Sequence, residues 1–171
     1  MNVKATKIQL EEMISSGNWY SCTSDYNLNY SYLKKDNKLG FRLRILSIDK
    51  IDVDLIEDSY KLEIDDGQLW LMKIEVVNMN RESLPPDLVT RSVRMVDKKK
   101  FFFDVFVDRD RNYNHHLYRS DYAKITKLNR YVGGVVLTPK IKTNGALAFL
   151  LPNDDSAEYS ITIKNGTINA V

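Results

Sequence analysis

The sequence has one cysteine, two histidines, seven glycines and four prolines among 171 residues. The single cysteine, Cys22, excludes an intrachain disulfide and a C-x-x-C site, so packing alone must hold the fold. The adjacent histidines His115 and His116 offer too few ligands for zinc, because neighbouring strand residues point to opposite faces. The lone pair Gly133-Gly134 lacks the spacing of a phosphate-binding loop, and no catalytic signature motif occurs.

Long apolar runs are also missing. No segment approaches the ~20 apolar residues that a membrane-spanning helix needs. Residues 1–16 carry charges of both signs and no apolar stretch typical of a secretory signal. The sequence as written therefore predicts a cytoplasmic protein without a membrane span, or an extracytoplasmic one if a signal segment was removed.

Alternation of apolar and polar residues dominates the chain after Trp19. In residues 68–77, Trp70, Met72, Ile74 and Val76 share one face, which is typical of a strand with one buried side. Further strands are predicted at residues 26–33, 41–45, 90–96, 100–107, 132–137, 146–151, 158–163 and 167–170. Because no strand–helix–strand alternation appears, the pattern favours two antiparallel layers.

Helix and turn signals complete the fold prediction. Thr6 and Gln9 match a capping box, and Gly17 is well placed as a stop, so residues 7–15 are predicted to form a short helix over an end or edge of the sheet. Asp66-Gly67 and Asn144-Gly145 predict turns. Asn165-Gly166 predicts a tight hairpin that pairs residues 158–163 with 167–170.

These elements predict an all-β protein, an antiparallel immunoglobulin-like β-sandwich with one short N-terminal helix. Residues 36–171 would form the sandwich. Residues 1–35 would be an N-terminal extension, a short helix plus strands, packed on it. The composition is that of an ordinary globular domain, with 43% hydrophobic and 28% charged residues.

Residues 67–168 resemble the telokin-like, immunoglobulin-fold bacterial domain family of unknown function. The resemblance rests on the stretch from Gly67 to Asn78, on the charged turn and aromatic strand from Val96 to Val107, and on Leu137 to Pro152. In the last stretch Lys140 stands where the family often has glycine. The resemblance implies a sandwich with an adhesive or accessory binding role and implies no catalytic residues.

The sequence that follows the aromatic strand partly matches a calcium-binding loop. Asp108, Asp110 and Asn112 match the start of a calcium loop, and Asp104 could join them. Tyr113 occupies the position that requires glycine, and Arg119 occupies the position of the bidentate glutamate. We therefore predict no metal site, no cofactor and no enzymatic activity, while an enzyme with a dispersed site stays as a third hypothesis.

The segment 108–131 is the predicted binding region. It is polar, basic and rich in tyrosine, and residues 91–130 carry eleven bases against five acids, whereas residues 49–66 carry eight acids against two bases. Tyrosine and arginine are enriched where proteins contact partners, so a protein partner is the first hypothesis. The alternative is an anion or single-stranded nucleic acid. The predicted contact residues are Arg109, Arg111, Tyr113, His115, Tyr118, Arg119 and Tyr122.

Overall fold

The computed structural model describes residues 7–25, 39–50, 66–84, 87–105 and 137–171. Within them lie nine strands and two short helices. In chain order they are β1 (Lys7–Gln9), α1 (Leu10–Ser16), β2 (Tyr20–Ser24), β3 (Leu39–Lys50), β4 (Gln68–Asn78), α2 (Asp87–Ser92), β5 (Val93–Asp97), β6 (Phe102–Asp104), β7 (Lys142–Leu151), β8 (Tyr159–Ile163) and β9 (Gly166–Ala170).

The strands form two sheets that share one hydrophobic core. The first sheet has the order β1-β8-β5-β6 and the second has the order β7-β4-β3-β2-β9. Every pairing between these strands is antiparallel. The prediction of an all-β fold with two antiparallel layers and a short N-terminal helix is therefore confirmed.

Strand β4 lies between β7 and β3 in the second sheet and shows why this sequence forms a sandwich. Its inward row, Met72, Ile74 and Val76, is at most 1% exposed. It meets inward residues of the first sheet such as Met95 and Ile161, which are fully buried. The period-two pattern places these side chains on one face, and burying them against the opposite sheet is the main stabilising term.

The N-terminal residues take part in both sheets. β1 pairs with β8 in the first sheet, with Ile8 opposite Ile161. β2 lies between β3 and β9 in the second sheet, with Cys22 opposite Phe41 and Ile168. The helix α1 therefore connects the two layers, and it buries Leu10 and Met13.

The predicted helix at residues 7–15 is partly wrong. Residues 7–9 form strand β1, and the helix occupies residues 10–16. Gln9 is the N-cap and makes no side-chain capping bond; it is also the last residue of β1, opposite Ser160 of β8. The predicted stop is confirmed: Gly17 ends the helix at φ 62°, a left-handed conformation that glycine adopts at low cost.

One predicted turn and one predicted strand pairing are also wrong. Asn144-Gly145 lies inside the continuous strand β7, where Gly145 pairs with Ile74. Asn165-Gly166 does turn the chain, with Asn165 at φ 53°, but the strands it joins belong to different sheets. β9 pairs with β2 and not with β8. Turn chemistry fixes the local backbone, whereas pairing partners depend on distant strands.

The strands predicted at residues 90–96 and 100–107 are shorter in the structure. Residues 87–92 form helix α2, so β5 begins at Val93. β6 covers Phe102–Asp104 only. Phe101 was predicted to share an inward face with Phe103 and Val105, but it is 62% exposed, because it precedes the strand in the turn.

Several predictions fall outside the described residues. They concern the strands at 26–33 and most of 132–137, most of the acidic segment 49–66, and the whole of the predicted binding segment 108–131 with its contact residues.

Candidate binding surface at one end of the sandwich

One end of the sandwich brings together five strand ends. β3 ends at Lys50, β4 begins at Gln68, and β7 ends at Leu151; in this sheet Trp70 pairs with Lys50 on one side and with Phe149 on the other. In the facing sheet, Tyr159 at the start of β8 pairs with Asp97 at the end of β5. We call this region the open end.

A cleft of about 230 Å³ lies between the two sheets at the open end. Its apolar floor consists of Leu10, Ile48, Met95 and Leu151. The partly exposed aromatic rings of Trp70 and Tyr159 contribute its walls. Trp70 continues the inward row of β4, yet it is less buried than the other members of that row because the sandwich ends there.

The polar lining of the cleft carries groups of both signs. Lys50 places its ammonium nitrogen 5.4 Å from the centroid of the Trp70 ring, a cation–π contact. Gln68 adds an amide, and the crossing loop, residues 152–158, adds Asn153, Asp154 and Asp155 at the rim. The crossing loop carries the chain from β7 in one sheet to β8 in the other.

The crossing loop is held by its own hydrogen bonds. One carboxylate oxygen of Asp154 accepts from the backbone N–H of Ser156 at 3.0 Å and from its hydroxyl at 2.6 Å. The N–H of Ala157 donates to the Asp154 carbonyl at 3.1 Å. These bonds from Ser156 lower the pKa of Asp154 and keep it ionised at neutral pH. The carboxylate therefore orders the loop and places a negative charge at the rim.

Tyr159 is a titratable residue in the wall of the cleft. Burial raises the pKa of its phenol, and the nearby carboxylates Asp97 and Asp154 raise it further. The hydroxyl therefore stays protonated at neutral pH and can both donate and accept a hydrogen bond. Its ring packs edge to face on Phe103, with 5.8 Å between centroids, which fixes the wall against β6.

A hairpin of β5 and β6 projects beside the cleft. Its turn, Lys98–Phe101, is closed at Asp97, whose carboxylate accepts from the N–H of Phe101 at 2.9 Å. Phe101 is 62% exposed and Phe102 is 53% exposed. We call residues 97–102 the Lys–Phe hairpin tip, since Lys98, Lys99 and Lys100 are also exposed there.

Charged contacts fix the base of this hairpin. The guanidinium of Arg94 lies 4.4 Å from the centre of the Phe102 ring, and its Nε is 2.9 Å from a carboxylate oxygen of Asp104. This Nε makes no well-directed hydrogen bond, so the contact with Asp104 is an ion pair without hydrogen-bond geometry. Asp104, which could have joined a calcium loop, is thus engaged by a cation.

The hairpin tip and the crossing loop form one continuous surface. Lys98 makes an ion pair of 2.8 Å with Glu158, at the end of the crossing loop. The ammonium of Lys99 contributes to the lowered pKa of Asp154, which places these charges near each other. We call the hairpin tip, the cleft and the crossing loop together the open-end surface.

The sequence-based predictions did not include this surface, although one sequence pattern pointed to it. Lys98 to Phe103 contains three lysines followed by three phenylalanines, and a strand cannot bury three consecutive side chains on one face. At least one phenylalanine had to face outward or lie in the turn. The convergence of Trp70, Tyr159 and residues 152–157 had no such signal, because these segments are far apart in the sequence.

Other reactive groups of the described residues lie away from the open end. Cys22 is fully buried in β2, and burial raises the pKa of its thiol, so it stays protonated and packs as an apolar residue. Glu75, with its side chain 12% exposed, lies 3.9 Å from Arg44 and 3.7 Å from Lys142. No group of three metal-ligating side chains occurs within the described ranges.

The predicted contact residues cannot be placed on this surface. Arg109, Arg111, Tyr113, His115, Tyr118, Arg119 and Tyr122 all lie outside the described residues. They follow β6 in the sequence by a few residues, so they are neighbours of the Lys–Phe hairpin along the chain. Their role in binding stays a prediction.

Among the helices of the described ranges, none is long and apolar enough to cross a membrane.

Comparisons with known proteins leave the family of this chain open. Lys140, at the position where the telokin-like family often has glycine, adopts φ 62°, a conformation that favours glycine. No family model, curated protein or solved structure matches the chain. The resemblance to the telokin-like family therefore stays a prediction.

Proposed function

We propose that this chain is a non-enzymatic protein-binding module of immunoglobulin-like fold, and that the Lys–Phe hairpin tip makes the central contact. The observation that carries the proposal is the exposure of two adjacent phenylalanines, 62% for Phe101 and 53% for Phe102. Large apolar side chains exposed side by side are typical of interaction sites. Burying each ring against a partner would contribute roughly 2 kcal/mol.

The strand that carries these rings adds a second mode of contact. β6 is an outer strand in the described part of the first sheet, with β5 on its inner side. An outer strand can accept an extended peptide through main-chain hydrogen bonds, while side-chain pockets supply specificity. β6 is only three residues long, so such pairing would be short and would depend on the phenylalanines for affinity.

The charge of the hairpin tip indicates the chemistry of the partner. Lys98, Lys99 and Lys100 are exposed around Phe101. Exposed lysines increase the association rate with an acidic surface, whereas buried apolar anchors determine how slowly the complex dissociates. The proposed partner therefore presents an acidic rim around an apolar pocket.

The reactive groups away from the open end support a non-enzymatic role. The Cys22 thiol is kept protonated by burial, and the Glu75 carboxylate lies within ion-pair distance of Arg44 and Lys142. Neither faces the cleft, whose lining holds no paired nucleophile and base within the described residues. Both groups fit a structural role in the sheet.

The proposal is tested by comparing two double variants as affinity baits. Phe101→Ser with Phe102→Ser removes the proposed anchors, and Leu46→Ser with Ile141→Ser removes two other exposed apolar side chains, 41% and 57% exposed. With the purified partner, the first variant should weaken binding at least tenfold and the control less than twofold, since anchors dominate interface energy. Equal weakening by both variants would refute the hairpin as the contact.

A third bait tests the predicted segment. The triple variant Arg109→Ala, Arg111→Ala and Tyr113→Ala should bind the same partner more weakly if residues 108–131 belong to the interface. Unchanged binding by this variant, together with loss in the phenylalanine variant, would confine the contact to the hairpin tip.

The alternative function is binding of an anion or single-stranded nucleic acid. Three lysines beside two exposed phenylalanines also suit phosphates and stacked bases. Fluorescence anisotropy with a labelled oligothymidine separates the two functions. Binding that falls steeply with salt and is lost in the phenylalanine variant would favour nucleic acid. Absence of binding at low salt would remove this alternative.

A further inference from the structure

The open-end surface carries a protruding apolar group and an apolar cavity side by side. The hairpin tip presents Phe101 and Phe102 next to three exposed lysines, and the cleft presents an apolar floor with carboxylates at its rim. We propose that the partner of the hairpin tip is a second copy of this chain, and that each copy places its phenylalanines in the cleft of the other. This inference rests on the proposed function, since it names the partner of the same hairpin contact.

The receiving cavity is larger than the cleft alone. An adjoining cavity of about 710 Å³, lined mainly by β1, α1 and the start of β8, shares four lining residues with the cleft, namely Leu10, Ile48, Ala157 and Tyr159. The two cavities therefore form one continuous depression, which we call the joined cleft. Ile14 adds to its apolar lining. Apolar pockets of this kind are filled by aromatic anchors at protein interfaces.

The hairpin tip does not fill the joined cleft of its own molecule. Among the described residues that line the joined cleft, none is a phenylalanine. The guanidinium of Arg94 lies 4.4 Å from the centre of the Phe102 ring and also contacts Asp104, so this ring is held at the base of the hairpin. The exposed parts of both rings therefore stay in water until another molecule buries them, and burying them is favourable.

The turn of the hairpin is closed by hydrogen bonds before any contact is made. The N–H of Lys100 donates to the carbonyl of Asp97 at 3.1 Å, and the N–H of Asp97 donates to the carbonyl of Phe101 at 3.2 Å. The carboxylate of Asp97 also accepts from the N–H of Phe101. A tip that is already ordered loses little conformational entropy on docking, which favours association.

The charges of the two parts are complementary. The hairpin tip is basic, whereas acidic side chains outnumber lysines in the described lining of the joined cleft. Glu11, Glu12 and Asp155 are exposed at its rim, where they can meet Lys99 and Lys100 of the second copy. Because these charges are exposed, they mainly speed and orient the encounter, and the buried phenylalanines supply the affinity.

The position of both parts at one end of the sandwich makes the exchange reciprocal. Asp97 and Lys98 belong to the hairpin tip and also line the joined cleft, so the two parts adjoin. A two-fold axis between two open ends can bring each tip to the joined cleft of the other copy, and the contact then closes as a dimer. A tip and a cleft at opposite ends of the molecule would instead produce open chains of copies.

Sedimentation velocity of the full chain measures the oligomeric state. We expect a monomer at about 1 μM and a dimer at about 300 μM, because the buried rings must offset the entropy lost on association. Phe101→Ser with Phe102→Ser removes the anchors, and Ala157→Arg places a bulky cation in the joined cleft. Each variant should weaken dimerisation at least about tenfold, and the control Leu46→Ser with Ile141→Ser less than about twofold. Amide NMR spectra verify that each variant is folded.

A spin label on the hairpin locates the contact. Lys99→Cys takes the label selectively, because the native Cys22 is fully buried and its thiol stays protonated. Labelled protein is mixed with isotope-enriched, unlabelled wild type, so that broadening of amide signals reports only contacts between molecules. We expect broadening at Trp70 and Tyr159. A label at Glu82→Cys, an exposed position near the other end of β4, should broaden neither signal.

The outcomes separate this inference from the proposed function. The second copy is overturned as partner if no dimer forms up to about 300 μM, if species larger than a dimer form, or if either the phenylalanine variant or Ala157→Arg dimerises as tightly as the wild type. Broadening from the Glu82→Cys label equal to that from the hairpin label would also overturn it. The proposed function fails on a different result, namely equal weakening of an unrelated purified partner by the phenylalanine and control variants.

Discussion

The sandwich ends differently at the two ends of β4. At Trp70, the open end leaves aromatic rings partly exposed and surrounds them with charged side chains. At Asn78, the other end buries a polar side chain completely and satisfies its amide. We call this second region the sealed end.

Asn78 makes the sealed end a hydrogen-bonded unit. Its amide nitrogen donates to the carbonyls of Glu82 at 2.9 Å and Leu137 at 2.7 Å. Its amide oxygen accepts from the backbone N–H of Asn80 at 2.8 Å and from the side chain of Asn80 at 3.0 Å. Asn80 in turn bonds the backbone of Gly40 in β3. One side chain thus connects backbone groups of Asn80, Glu82 and Leu137 around the end of the sheet.

The chain also crosses between sheets differently at the two ends. At the sealed end, the turn between β8 and β9 crosses with Lys164 and Asn165 alone, and the N–H of Lys164 donates to Ser92 at 2.7 Å. At the open end, the longer crossing loop spans residues 152–158 and leaves the cleft beneath it. The short crossing holds the two sheets together at the sealed end, whereas the long one leaves a cleft between them at the open end.

The largest expected effect follows from removing the side-chain amide of Asn78 at the sealed end. Asn78→Ala removes four hydrogen bonds, which tie Asn80, Glu82 and Leu137 to this end of the sheet, so we expect the free energy of unfolding to fall by about 3 kcal/mol. Urea denaturation followed by circular dichroism measures the change. Asn153→Ala, at the rim of the open end, should change it by less than about 0.5 kcal/mol. Similar losses for both variants would contradict the contrast between the ends.

A second substitution tests the short crossing. A Cβ at Gly166 would overlap the backbone carbonyl of Thr23, so Gly166→Ala should lower the free energy of unfolding by about 2 kcal/mol. At Gly40 the nearest atom to a new Cβ is 3.8 Å away, so Gly40→Ala should be tolerated. Thermal unfolding of the two alanine variants compares them directly, and an equal loss in Gly40→Ala would contradict the steric explanation.

A pH titration tests the raised pKa of Tyr159 in the wall of the cleft. Because the fold raises the pKa of Tyr159 above its ordinary value of 10.0, the protonated phenol favours the folded state. This contribution is complete below pH 10 and is lost as the pH rises through the folded pKa. The free energy of unfolding of the wild type should therefore fall more steeply above pH 10 than that of Tyr159→Phe. Identical slopes would show that Tyr159 titrates as in the unfolded chain.

The smallest expected effect concerns the hairpin tip. Phe101→Ser with Phe102→Ser should lower the free energy of unfolding by about 1 kcal/mol or less, because both rings are largely exposed and the main loss is the contact between Arg94 and Phe102. Leu137→Ala, a residue 1% exposed at the sealed end, should lower it by about 3 kcal/mol. A large fall in the free energy of unfolding of the serine variant would mean that the two phenylalanines stabilise the fold, which would count against their proposed role as partner contacts.

The sequence predicted the parts of this protein that depend on local periodicity. The inward row of β4 followed from alternation, and Gly17 followed from the requirement for a left-handed residue after a helix. The two-layer, all-β class followed from many short strands without intervening helices. Of the candidate site, only the Lys98–Phe103 run carried a readable signal.

The tertiary structure alone decided which strands pair and which side chains meet. β8 and β9 are separated by a two-residue turn, yet they lie in different sheets, because β2 and β5 offer partners that the turn residues cannot specify. Trp70, Asp154 and Tyr159 converge for the same reason. Local sequence fixes the conformation of each strand, but the cleft arises from packing between segments far apart in the chain, whose energy no short stretch encodes.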